Sequence, residues 1–115
     1  MEILYNKLVR DKIPEKIEKN NETALIKTLN DKEYEQALND KFYEEIKEVI
    51  NSKNKEELKE ELADLLELIY AKAKLNKITF EDIEHVRLLK KEKRGAFDNK
   101  ILLIKSIKRD NTKDS

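Results

Sequence analysis

The sequence predicts an all-α protein. It reads as an antiparallel helical bundle of three long helices plus a short N-terminal helix, with one or two short strands, forming a single domain over residues 1–115. Apolar residues recur every three or four positions over long stretches, the period of a helix buried on one side. Charged residues make up 43% of the 115 and apolar residues only 38%, so helices with one buried stripe fit better than a thick layered core. Capping residues punctuate the chain between these stretches.

Pro14 suits the first turn of a short helix over roughly 13–20, with Asp11 or Lys12 near its cap. Residues 23–29, TALIKTL, are β-branched and apolar enough for a short strand. Asp31 is placed to cap a long helix running to about Ser52, whose apolar residues Tyr34, Leu38, Phe42, Ile46, Val49 and Ile50 keep the helical period. Asn54 caps the next helix, with Glu57 as capping-box partner. That helix runs through Leu58, Leu62, Leu65, Leu66, Ile69 and Ala73 to about Leu75. Thr79 opens a third long helix, with Ile78 and Ile83 as a hydrophobic staple and Asp82 at the box position. This helix turns Ile83, Val86 and Leu89 inward and stops near Gly95. Residues 101–107, ILLIKSI, read as a second strand that would pair with 23–29, and the last eight residues as a frayed end.

Composition excludes several kinds of chemistry. One Gly cannot build a Walker A loop, a GxGxxG turn, a nucleophile elbow or an RNP1 strand. The absence of Cys excludes disulfides, thiolate metal sites and a cysteine nucleophile, and one His (His85) cannot form a two-His metal cluster. No stretch reads as a signal peptide or approaches the ~20 apolar residues of a membrane helix, so a soluble, cytoplasmic protein without membrane partners is expected. Chemistry falls to carboxylates, amines, guanidiniums, hydroxyls and a hard metal ion.

Lys plus Arg and Asp plus Glu both number 25, but the neutral total hides a segregation. Residues 31–67 carry 13 acidic and 6 basic side chains, whereas residues 86–115 carry 10 basic and 4 acidic. Two readings fit: attraction between parts of one fold, or carboxylates for Mg²⁺ beside cations for phosphate. The acidic block argues against nucleic acid as a partner.

Two acidic pairs fall where apolar residues belong. At about 100° per residue, Glu45 lies about 20° from Tyr34, inside the apolar sector, with Glu48 on its flank. On the next helix Glu61 lies between Leu65 and Leu68 in direction, with Asp64 on the border. Unpaired buried carboxylates cost several kcal/mol, roughly, and four converging ones call for a cation between them. Mg²⁺ accepts such oxygen ligands from facing helices. The alternative is solvated Glu-rich faces, since Glu occurs 17 times and pairs at spacing three also at 15/18, 57/60 and 81/84.

The EExxE run (Glu44, Glu45, Glu48) followed by ExxD (Glu61, Asp64) resembles the MazG-like nucleotide pyrophosphohydrolases. These belong to the all-α NTP pyrophosphatases, as does phosphoribosyl-ATP pyrophosphohydrolase. YNKLVRDKIPE (Tyr5 to Glu15) looks like the N-terminal signature of one compact branch, and KRGAFDNKI (Lys93 to Ile101) like its RGGF-type ending, with Ala96 in place of a second Gly. The resemblance implies that Glu45, Glu48, Glu61 and Asp64 hold Mg²⁺, with Mn²⁺ as the alternative ion. It implies cleavage between the α and β phosphates of a nucleoside triphosphate, giving monophosphate and pyrophosphate in nucleotide-pool house-cleaning, by a homodimer or homotetramer.

Within that chemistry Glu44 is the candidate to activate water alongside the catalytic Glu45, while Lys7, Arg10, Lys12, Lys93 and Arg94 supply cations for substrate phosphates. Arginine suits bidentate phosphate contact and lysine acts as a point charge. Tyr5 and Asn6 are further candidates for nucleotide recognition, Tyr34, Phe42 and Tyr43 read as packing aromatics, and His85 as a partly exposed helix residue. The alternative function is a non-catalytic helical interaction or regulatory module.

Overall fold

The computed structural model describes residues 1–110; residues 111–115, part of the end expected to fray, lie outside the described residues. Among the described residues are four helices: α1 (Ile13–Lys19), α2 (Asp31–Ile50), α3 (Lys55–Leu75) and α4 (Phe80–Arg94). The fold is all-α. Neither expected strand forms, since residues 23–29 and 101–107 run without regular structure. β-branched composition gives no stability without a ladder partner and a face to bury, and Leu25, Leu102 and Leu103 stay exposed.

The chain divides into two compact units, Met1–Phe80 and Glu81–Ser115. In the first, α2 and α3 form an antiparallel hairpin across a connection of residues 51–54. Near its open end the Lys72 ammonium donates to Asn39 Oδ1 at 2.8 Å. Among the described residues Leu38 on α2 is fully buried, and Ala73 on α3 is the other buried apolar residue. The Tyr70 and Phe80 rings meet edge to face, centroids 5.2 Å apart, where the chain leaves α3.

The caps explain the boundaries. α2 is capped by Asn30, one residue earlier than expected: its side chain accepts the Glu33 N–H at 2.9 Å, and Glu33 Oε1 accepts the Asn30 N–H at 3.1 Å. Asp31 becomes the first helical residue, where its charge faces the positive end of the helix dipole. Asn54 caps α3 as expected, accepting from the Glu57 N–H at 2.8 Å, but the expected capping box does not close, because the Glu57 carboxylate accepts from the Lys53 N–H instead of that of Asn54. α3 ends in a Schellman motif, with Ile78 N–H donating to Ala73 O at 2.9 Å and Lys77 N–H to Lys74 O at 3.1 Å. Lys77 holds the left-handed position there, at φ 57°. Lys12 is the N-cap of α1 without a side-chain capping bond, and Pro14 lies in the first turn.

The apolar stripes divide. Tyr34, Phe42 and Val49 are half-buried on α2, and Leu65 and Ile69 are half-buried on α3. Leu58, Leu62, Leu66 and Tyr70 instead form an exposed i, i+4 ridge along α3, and Ile46 and Ile50 are exposed on α2. Tyr43 is 73% exposed and is no packing aromatic.

The second unit contains α4, which follows Thr79 directly and ends where Gly95, at φ 85°, donates to Lys91 O at 2.8 Å. Ile83 is half-buried, but Val86 and Leu89 are exposed, since this unit has no second helix among the described residues to cover them. No helix of the described residues is long and apolar enough to cross a membrane.

Candidate active site

The antiparallel pairing of α2 and α3 sets Glu45 opposite Glu61 and Asp64. One carboxylate oxygen from each of these three residues lies within 4.8 Å of the other two. Glu61 and Asp64 stand one turn apart on α3, so they share a face, and Glu45 meets them from the neighbouring helix. All three are half-buried. Glu45 Oε2 is buried and has no hydrogen-bond partner in the protein, and buried oxygens of this kind are satisfied by a donor, an ordered water or an ion.

The electrostatics match the geometry. Burial, a hydrogen bond with Glu61, and the charges of Glu61, Asp64 and Glu48 push the Glu45 carboxyl up to about 7 from its ordinary 4.5. Burial disfavours the ionised form and nearby like charges disfavour it further. A hard divalent cation answers both conditions, because it takes oxygen donors and cancels their repulsion. The orphaned oxygen and the all-carboxylate donor set therefore fit such an ion.

Glu48 lies one turn beyond Glu45 and is exposed; it stands outside the converging three, though its charge acts on Glu45. Glu44 points to a different set of partners. Lys7 Nζ lies 3.5 Å and Lys41 Nζ 3.3 Å from its Oε1. Burial would raise its pKa, but the ammonium groups of Lys41 and Lys7 outweigh that and hold it below the usual range. Glu44 is thus ionised at neutral pH.

The segment before α1 crosses the hairpin and brings two of the expected cations to the carboxylates. Arg10 Nη2 donates to Asp64 Oδ1 at 2.7 Å, and Lys7 pairs with Glu44 as described. Lys12, exposed at the α1 N-cap, has no ion pair with them. Lys93 and Arg94 lie exposed in the last turn of α4, in the second unit, where basic residues suit the negative end of the helix dipole. Asn6, with φ 44°, and Leu8 line a small cleft against α2 beside Glu44, while Tyr5 and His85 are exposed. Sequence reasoning missed Lys41. Its i, i+3 spacing to Glu44 was the available signal, but it was hidden among many such pairs.

No curated protein and no solved structure matches the chain. A family model described as phosphoribosyl-ATP pyrophosphohydrolase matches residues 6–87, a span that contains the crossing segment, both acidic pairs and the whole α2–α3 hairpin. Lys93 and Arg94 fall beyond it. With all-carboxylate donors at the core of the matched span, the chain belongs to the phosphoribosyl-ATP pyrophosphohydrolase family, hydrolases of phosphoric anhydrides acting on nucleotide-like substrates.

Proposed function

We propose that this protein is an Mg²⁺-dependent nucleoside triphosphate pyrophosphohydrolase, with Mn²⁺ as the alternative ion, that clears surplus or unwanted nucleotides in the cytoplasm. The observation that carries the reading is the convergence of one carboxylate oxygen each from Glu45, Glu61 and Asp64 within 4.8 Å of one another. Glu45, Glu61 and Asp64 would hold the ion, with Glu48 at its flank. When bound, the ion supplies neutralisation of polyphosphate charge and acidification of the attacking water.

The remaining steps fall to the chain itself. Glu44, ionised and outside the converging three, accepts a proton from water as its oxygen bonds to the α phosphorus. The bond from that phosphorus to the α–β bridging oxygen breaks, and pyrophosphate leaves with the electron pair. Arg10 offsets the charge that develops on the leaving group, Lys7 holds Glu44 in place, and Lys12, Lys93 and Arg94 are further candidates for contact with substrate phosphates. Phosphoribosyl-ATP, named in the family description, presents the same triphosphate and belongs to the same reading.

The reading includes a second copy of the chain. The ridge of Leu58, Leu62, Leu66 and Tyr70, with Ile46 on α2, is the kind of apolar surface that a homodimer buries, or a tetramer built from such dimers.

The test is incubation with Mg²⁺ and a nucleotide panel that includes phosphoribosyl-ATP. Pyrophosphate and a monophosphate are expected, and Glu61→Gln should abolish their release. Orthophosphate as the product would mean that a different bond is cut. No turnover, with no thermal shift from Mg²⁺ plus a non-hydrolysable nucleotide, would leave a helical interaction module instead.

A further inference from the structure

Residues 1–12 precede the first helix and are tied to the hairpin through the carboxylates themselves. Arg10 takes Asp64, one of the three converging ligands, at 2.7 Å, and Lys7 takes Glu44, the neighbour of Glu45, at 3.5 Å. Both pairs are substantially exposed, with the Arg10 side chain at 58% and that of Asp64 at 43%. Exposed pairs of this kind are weak and easily exchanged. A guanidinium seated on Asp64 and a dication held by the same carboxylate repel each other, so each weakens the other's hold. Arg10 also has the planar fork that binds phosphate oxygens in pairs.

We propose that Arg10 is an exchangeable counter-ion of the carboxylate site. It holds Asp64 while no divalent ion is bound, surrenders it when one binds, and then presents its guanidinium to the polyphosphate. The crossing segment thereby couples cation binding to nucleotide binding, and the ion enters first. Lys7 is the second tether: its pairing with Glu44, which is outside the converging three, keeps the segment across the hairpin while Arg10 changes partner. This inference rests on the metal-dependent reading above.

Calorimetric titration of Mn²⁺ alone into the 115-residue protein tests it without reference to turnover. Arg10→Gln should bind Mn²⁺ about two- to five-fold more tightly than the unaltered chain, the range corresponding to loss of one exposed ion pair. The same variant should bind an α,β-methylene nucleoside triphosphate with Mg²⁺ roughly ten-fold more weakly, the loss of one charge-assisted phosphate contact. Arg10→Lys should restore part of both effects. Hydrogen exchange adds a second readout: the amides of residues 7–11 should exchange faster with Mg²⁺ alone and slow again when the analogue is added.

Unchanged or weaker Mn²⁺ binding by Arg10→Gln, with uptake by the unaltered chain intact, would make Arg10 a simple strut and overturn this inference alone. Failure of the unaltered chain to take up any divalent ion would remove the metal-dependent reading and this inference with it.

Discussion

Replacing Glu45 by Gln keeps the shape of the side chain and removes its charge, so it isolates the electrostatic burden that the site carries. The Glu45 carboxyl is pushed up to about 7, from 4.5, first by burial and then by Glu61, Asp64 and Glu48. The folded chain therefore binds a proton more tightly than the unfolded one between these two values. Stability from this group is complete below about pH 4.5 and is lost as pH rises through about 7. At about 1.4 kcal/mol per unit the ceiling is ~3 kcal/mol, and solvent reaching this half-buried group reduces it to about 1–2 kcal/mol. In a chain of this length that corresponds to roughly 4–8 °C in Tm. Thermal melts in EDTA should show the unaltered protein losing stability from pH 5 to pH 8.5, while Glu45→Gln holds its Tm and is the more stable at pH 8.5. Mg²⁺ should then raise the unaltered protein's Tm at pH 8.5 and leave the variant's almost unmoved. If the two proteins melt in parallel across the whole pH range, Glu45 carries no such charge penalty and the case for a cation at this position fails.

Leu38→Ala truncates a fully buried large side chain and should cost about 2–5 kcal/mol, read as the midpoint shift in urea. Lys77→Gly should raise Tm, by roughly 1 kcal/mol in stability, because Lys77 holds the left-handed position of the Schellman motif that glycine adopts without penalty. Asn30→Ala removes the capping box of α2 and should cost about 1 kcal/mol by the same urea measurement. On the proposed dimer reading, Leu62→Lys in the middle of the exposed α3 ridge should lower the mass seen by sedimentation to that of a single chain; an unaltered protein that is itself a single chain, or an unchanged larger mass in the variant, would refute assembly through the ridge.

The helical elements were readable because their periodicity and caps act locally, and Asn54 with Glu57 is the clearest case. The displaced cap at Asn30 shows the limit of that signal: Asn and Asp side by side are both good caps, and only the partner Glu33, three residues from Asn30, separates them. The Schellman ending was invisible because Lys77 sits where glycine is the usual sign. Residues 23–29 and 101–107 have strand composition but no ladder, a tertiary fact that no local pattern contains. At the site, helical phase turned Glu45 and Glu61 toward the buried sector but left Asp64 on its border, so phase alone did not mark Asp64 as one of the converging three. The same phase placed Glu48 on the flank, and it stands outside the converging three. The pairings of Lys7 and Arg10 depend on where an irregular segment crosses the hairpin, which helical phase does not encode.

The connection of residues 51–54 has a further consequence for how the protein comes into being. Because Glu45, Glu61 and Asp64 are separated by fewer than twenty positions and bridged by so short a turn, closing that loop costs little chain entropy. The acidic cluster needs only the two neighbouring helices α2 and α3, and none of its three residues lies on α4. On the proposed metal-dependent reading, a divalent cation bound there would offset the repulsion inside the cluster as soon as the two helices pair, and so stabilise folding as well as serve the reaction.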